Sequence, residues 1–117
     1  MITARDTKVR FRQDPRWWKV ALMDFVDDFR RRKDPAAITD PFDLDDDRKD
    51  AVLAGVIETL CDEAGLTTPE WVSRVPACRE PFFVSGLESL KALAIAQSPA
   101  HFRVRKVFVL DNFLERV

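Results

Sequence analysis

Three side chains in this 117-residue chain are of the types that ligate soft metals or attack substrates: Cys61, Cys78 and His101. Each stands alone. No C-x-x-C, H-E-x-x-H or H-x-H spacing occurs, so a zinc site needs all three and an acid gathered from distant segments. Cys61 falls on an apolar helical stripe and reads as core. Cys78 reads as an ordinary semi-exposed thiol, and His101 as a surface or packing residue rather than a general base. Ser85-Gly86 lacks the G-x-S-x-G turn that aims a nucleophilic serine, and a single histidine leaves little choice of base. The acids Asp43, Asp45, Asp46 and Asp47 have a superficial look of divalent-cation binding, without the glycine and closing glutamate of a calcium loop. Adjacent carboxylates in water also do not develop the split acidities of an acid–base pair. Gly55, Gly65 and Gly86 are too scattered to cradle a phosphate. The expectation is therefore no catalytic, metal-binding or cofactor-binding residue, no cofactor, and no enzyme.

Residues suited to binding are easier to find. Adjacent helical positions point about 100° apart, so of Trp17 and Trp18 one can face the core and the other is a candidate interface anchor. The alternative is that both are half-buried in one small core. Phe82 and Phe83 form a second such pair. Two basic clusters, Arg30-Arg31-Arg32-Lys33 and Arg103, Arg105 and Lys106, are candidate nucleic-acid contacts. Together with the basic N-terminal residues they present one positive face against the negative one of Asp40 to Asp50. Such a face suits a protein partner at least as well as phosphate, and both clusters also fit solvated or internally paired charge. Asp50 to Trp71 has a helix-turn-helix outline, but its second helix carries Pro69, Glu70 and Trp71, a poor surface for reading base edges.

The elements that position these groups follow from pattern. The first fourteen residues are basic without a sustained period and read as a flexible arm. Residues 15–117 read as one helical domain. Asp14-Pro15 starts a helix, with Trp18, Leu22, Phe25, Val26 and Phe29 at helical spacing; Pro35 ends it. Asp34 to Asp50 is a linker with Phe42 and Leu44 as pegs. A helix follows over Asp47–Ala64, with acids to cap it and Gly65 to stop it. Thr68-Pro69 caps a short helix, and Val75 to Gly86 is a loop with buried anchors. Leu87, Leu90 and Ala94, with Leu93 left open, mark a helix running to about Gln97, and Leu87 and Leu90 are expected in the core. Ser98-Pro99 starts another turn, and Val107 to Leu110 reads as the approach to a last helix at Asp111, because no strand partner is evident. The fold class is all-α, a compact bundle of four or five helices with irregular proline-containing connections.

Composition bounds the rest. Nineteen Lys and Arg against twenty Asp and Glu give a net charge of −1, unlike a generic nucleic-acid coater. Only three glycines in a chain that is 46% hydrophobic argue for helices over many-stranded sheets. Two cysteines make no disulfide scaffold. No apolar run reaches 18 residues and the N-terminus is charged, so neither a membrane span nor a secretory signal is expected.

The run EPFFVSGLESLKALAIAQSPAHFRVRKVFVLDNFLERV, Glu80 to Val117, resembles the ending of a group of small bacterial proteins of uncharacterised function. Carrying it are Pro81-Phe82-Phe83, Gly86, Ser98-Pro99, Phe102-Arg103 with Arg105-Lys106, Val107 to Val109, and Asp111-Asn112. Leu60 to Val72 is similar to the piece that precedes that ending. In such proteins the module follows a helix-turn-helix regulatory domain or stands alone in loci resembling toxin–antitoxin pairs. The resemblance implies a bacterial, cytoplasmic, antitoxin-like or regulatory partner protein. Residues 1–50 leave no room for a full DNA-binding domain, so partner binding gains over operator binding. The functional expectation is a non-enzymatic protein-interaction module with a protein partner, a homodimer remaining open. The alternative is a nucleic-acid-binding protein using its basic clusters.

Overall fold

The computed structural model describes residues 1–115. In chain order it contains α1 (Ala4–Gln13), α2 (Trp18–Arg32), α3 (Asp47–Ala64), α4 (Glu70–Ser73), β1 (Phe82–Phe83), α5 (Lys91–Gln97), α6 (Ala100–Arg103) and β2 (Val107–Phe108). Single 3-10 turns at Pro15–Trp17, Pro35–Ile38 and Glu88–Leu90 lead into or follow these helices. The domain is mostly helical with a small two-stranded sheet, and not the pure four- or five-helix bundle expected from pattern.

Helix α3 is the axis of the molecule. The Asp46 carboxylate accepts from the amides of Arg48 and Lys49 at its start, and Gly65 ends it in the left-handed conformation at φ 69°. Between these caps every side chain from Asp50 to Ile57 is buried, so α3 is covered on all sides. Helix α2 packs Leu22, Phe25, Val26 and Phe29 into the same core. Each such side chain contributes roughly 1.5–3 kcal/mol by leaving water. The C-terminal half closes over the other flank of α3 through Phe102, Val107 and Val109. Gly55 sets how close that approach can be: a Cβ there would sit 2.7 Å from the Phe102 ring.

Three elements depart from the sequence pattern. Residues 1–14, expected as a flexible arm, instead contain α1, whose start is capped by Thr3 accepting from the Asp6 amide. Its inward stripe is Ala4, Thr7, Lys8 and Phe11, and the charged residue in that stripe hides the period. The expected helix start at Asp14-Pro15 is a 3-10 turn, and the α-helix proper begins at Trp18. Val107-Phe108, expected as the approach to a helix, is a strand lying parallel to Phe82-Phe83, with Phe82 opposite Val107 and Phe83 opposite Phe108. The pair is two residues long with 23 residues between its strands, so neither strand announces its partner in sequence.

Within the acidic linker, Phe42 is buried as a peg while Leu44 stays exposed. Asp34 caps the 3-10 turn there through the Ala36 amide. Pro69, not Thr68, occupies the cap position of α4. That helix is four residues long, too short for the recognition helix of a helix-turn-helix. Leu87, expected in the core, is 58% exposed, and Leu90 is only half-buried.

Candidate functional site

The potentially reactive groups are held apart along α3. Cys78 is buried against the first turn, its thiol 3.6 Å from the Asp47 carbonyl. His101 lies against the fourth turn, with Nδ1 3.3 Å from Glu58 Oε2 and Nε2 beside Asp62 Oδ2. Asp47 and Glu58 are eleven positions apart on this helix, roughly 16 Å. Among the described residues His101 stands beside Glu58 and Asp62, and Cys78 beside Asp47. Both ring nitrogens of His101 face carboxylates of α3. Burial pushes both the Cys61 and the Cys78 thiols up, away from the nucleophilic thiolate. Among the described residues no group of three or more His, Cys, Asp or Glu side chains is arranged to hold a metal ion.

The basic clusters are largely engaged within the chain. Arg30 grips Glu63 through two nitrogens, at 2.8 and 3.2 Å, and donates to the Leu114 carbonyl. Arg31 and Arg32 converge on Asp28 at 2.7 and 2.9 Å. Asp28 also accepts the Ile2 amide, and that hydrogen bond, followed by Arg32, holds its carboxyl well below the usual carboxylate range. Arg105 is buried, ion-paired with Glu58 and donating to the carbonyls of Val72 and His101. It is an internal strut rather than a surface cation. Arg103 donates to the carbonyls of Ile95 and Ser98 while its side chain stays in solvent. Lys33 and Lys106 alone of the seven have no ion-pair or side-chain hydrogen-bond partner among the described residues, and both have left-handed backbone conformations at φ 52° and 59°.

Of the aromatic candidates, Trp17 is 55% exposed, with Arg16 above its ring and Val20 one turn along. Trp18 packs edge-on against Phe11, ring centres 5.8 Å apart, and so fastens α1 to α2. Phe83 stacks on Phe108 across the strand pair at 5.1 Å, under Lys91. Phe82 lies beneath Arg48, its ring half-buried. These three pack against other side chains of the chain, and Trp17 is the exposed ring of the four.

One apolar surface lies on α5, where the sequence pattern alone does not place it. Helix α5, KALAIAQ, buries Ala94 and the following Ser98. At about 100° per residue its outward arc runs from Ile95 through Ala92 and Ala96 to Leu93, about 160° of the helix, and holds no charged or polar side chain. Leu93 is 45% and Ile95 49% exposed. An outward helix face is ordinarily its polar one, and a helix apolar all round is normally covered. The sequence pattern marked this helix as apolar but could not say which side was dry.

A cavity of about 240 Å³ opens between α2 and the C-terminal segment, bordered by Leu22, Met23, Val84, Val109 and Phe113. A wider, charged depression beside Asp46, Asp47, Arg48, Arg79 and Glu80 lies over the start of α3. Neither is lined by His101 or Cys78. No described helix is long and apolar enough to cross a membrane. No protein-family model, curated protein or solved structure matches this chain.

Proposed function

We propose that the chain is a non-enzymatic protein-interaction module, antitoxin-like or regulatory, of a bacterial cytoplasmic system. The observation that carries the interaction is the solvent face of α5, built from Ile95, Ala92, Ala96 and Leu93 without a charge. Leaving four contiguous apolar side chains in water forgoes stabilisation that a protein partner restores by covering them. The antitoxin-like or regulatory character, the bacterial origin and the cytoplasmic setting rest on the resemblance of Glu80 to Val117. A nucleic-acid reading has less behind it, since Arg30, Arg31, Arg32 and Arg105 are ion-paired within the chain and Arg103 is tethered through one nitrogen.

The test places a photoreactive phenylalanine analogue at position 93, with a control at the exposed Asp40, and irradiates cells of the native host. Mass spectrometry of the tagged chain is expected to show a discrete protein adduct from position 93 and none from position 40. An absence of adduct at position 93, or equal adducts from both positions, removes the basis of the proposal.

A further inference from the structure

The α5 face is complementary to itself, and the geometry points to a second copy of this chain as its partner, docked with the two α5 helices antiparallel about a twofold axis. The inference rests on the reading of α5 as an interaction face and names the partner.

The first argument is shape. Ala92 and Ala96 stand one turn apart at the middle of the outward arc, with Leu93 on one side and Ile95 on the other. A low centre between two taller rows lets a like helix approach at the short end of the usual 8–10 Å separation. Leu93 and Ile95 of each copy then lie alongside the alanine row of the other. In an isologous pair every contact is made twice.

The second argument is charge at the two ends of the face. Glu88, at the entry to α5, has a side chain 87% exposed. Its ion-pair partner at 2.9 Å is Lys91, 42% exposed at the flank of the outward arc, with its ammonium over the Phe83 ring. At the exit Arg103 is tethered through Nη2 to the carbonyls of Ile95 and Ser98, leaving Nη1 and Nε without partners among the described residues. From Glu88 to Gln97 the chain rises roughly 15 Å, three residues in the 3-10 turn and the remainder in α5. The midpoint of that rise falls at Ala92. Antiparallel pairing about this point brings Arg103 of one copy towards Glu88 of the other at both ends, and sets the helix dipoles in opposition. Parallel pairing sets acid on acid and cation on cation. Opposite charges arranged in this way fix orientation as well as favouring encounter.

The experiment is sedimentation equilibrium of the full chain over a wide range of loading concentration. Wild type is expected to approach twice the 13.5 kDa of one chain. Ala96→Glu, on the outward arc, is expected to weaken association at least tenfold with unchanged helical content. Glu88→Arg places cations at both ends of the face and Arg103→Glu places acids at both ends, so each variant alone is expected to associate at least tenfold more weakly. Mixed in equal amounts, the two are expected to regain wild-type association within about threefold, because each end then joins opposite charges. A purely structural role for Arg103 leaves that mixture dissociated. A wild-type chain that stays monomeric throughout, an Ala96→Glu variant that dimerises undiminished, or a mixture that fails to associate overturns the inference. A monomeric chain that still gives a foreign-protein adduct from position 93 overturns the second copy alone and leaves the interaction module standing.

Discussion

Replacing Lys8 with methionine isolates the charge that fastens the N-terminal helix. The Lys8 side chain is 1% exposed, and its ammonium is held by Asp50, Asp45 and the Asp43 carbonyl. Methionine keeps most of the aliphatic stem, so little cavity is created and the change is mainly loss of the cation. Removing one partner of a buried pair typically costs about 3–5 kcal/mol, because the other charge is left without compensation. Asp45 is one-third exposed and can turn to water, whereas the Asp50 side chain is 4% exposed and cannot. The expected loss therefore lies near the lower end, about 3 kcal/mol, out of the ~5–15 kcal/mol of a typical domain.

The loss depends on pH in a defined direction. Burial already pushes the Asp50 carboxyl up, against the opposing pull of Lys8. Without Lys8 that rise grows, and the folded state binds a proton more readily than the unfolded chain, where the value is about 3.9. Stability linked to such a group increases as pH falls through its folded-state value. The deficit of the variant against wild type is thus largest near pH 7.5 and narrows by pH 5. Urea unfolding followed by tryptophan fluorescence at both pH values measures it. Lys8→Met combined with Asp50→Asn is expected to cost less than Lys8→Met alone, since no buried charge remains. A deficit below about 1 kcal/mol, an equal deficit at both pH values, or strict additivity in the double variant refutes the reasoning.

Three further outcomes follow from the packing. Gly55→Ala gains about 1 kcal/mol of helix propensity, but its methyl group meets the buried Phe102 ring at 2.7 Å, an overpacking worth about 1–3 kcal/mol. A net fall in melting temperature of a few degrees is expected by calorimetry, and a rise contradicts the close approach. Asp28→Asn removes a carboxylate whose charged form is favoured in the fold, by the Ile2 amide first and Arg32 next. That contribution is present above about pH 4 and lost as pH falls below it, so the variant should show a flatter acid-unfolding profile, read by circular dichroism. Cys61 and Cys78, both buried and pushed up by desolvation, are expected to react with a thiol reagent only at the rate of opening. An immediate stoichiometric reaction in the native state contradicts their placement.

What was legible in the sequence was whatever local chemistry dictates. The bounds of α3 follow from Asp46 before it and Gly65 after it, and the core positions Leu22, Phe25, Phe29, Leu53, Ile57 and Leu60 follow from helical spacing. Helix α1 was hidden because Lys8 takes an apolar slot, and its burial depends on acids 37 and 42 residues further on. The strand pair was hidden because its residues meet only through the fold around them. The α5 face was hidden for the opposite reason. Five consecutive positions of that helix, Ala92 to Ala96, are apolar, and Leu87 reads as core until the fold leaves it 58% exposed. That one of Trp17 and Trp18 faces outward was legible from their adjacency, and which one follows from the position of Phe11 on α1.

The shallow place on α3 at Gly55 is filled by a ring that the chain reaches 47 residues later. A ribosome adding roughly 5–20 residues each second needs about 2–9 s to cover that distance. Throughout that interval the central helix exists as a nascent segment with an open apolar flank, and β1 has no strand to lie beside. Synthesis order and folding order thus run against each other in this chain. Its core is completed only once Phe102 is made, so a message truncated before Phe102 yields a product exposed to proteolysis and capture by chaperones rather than a smaller stable domain.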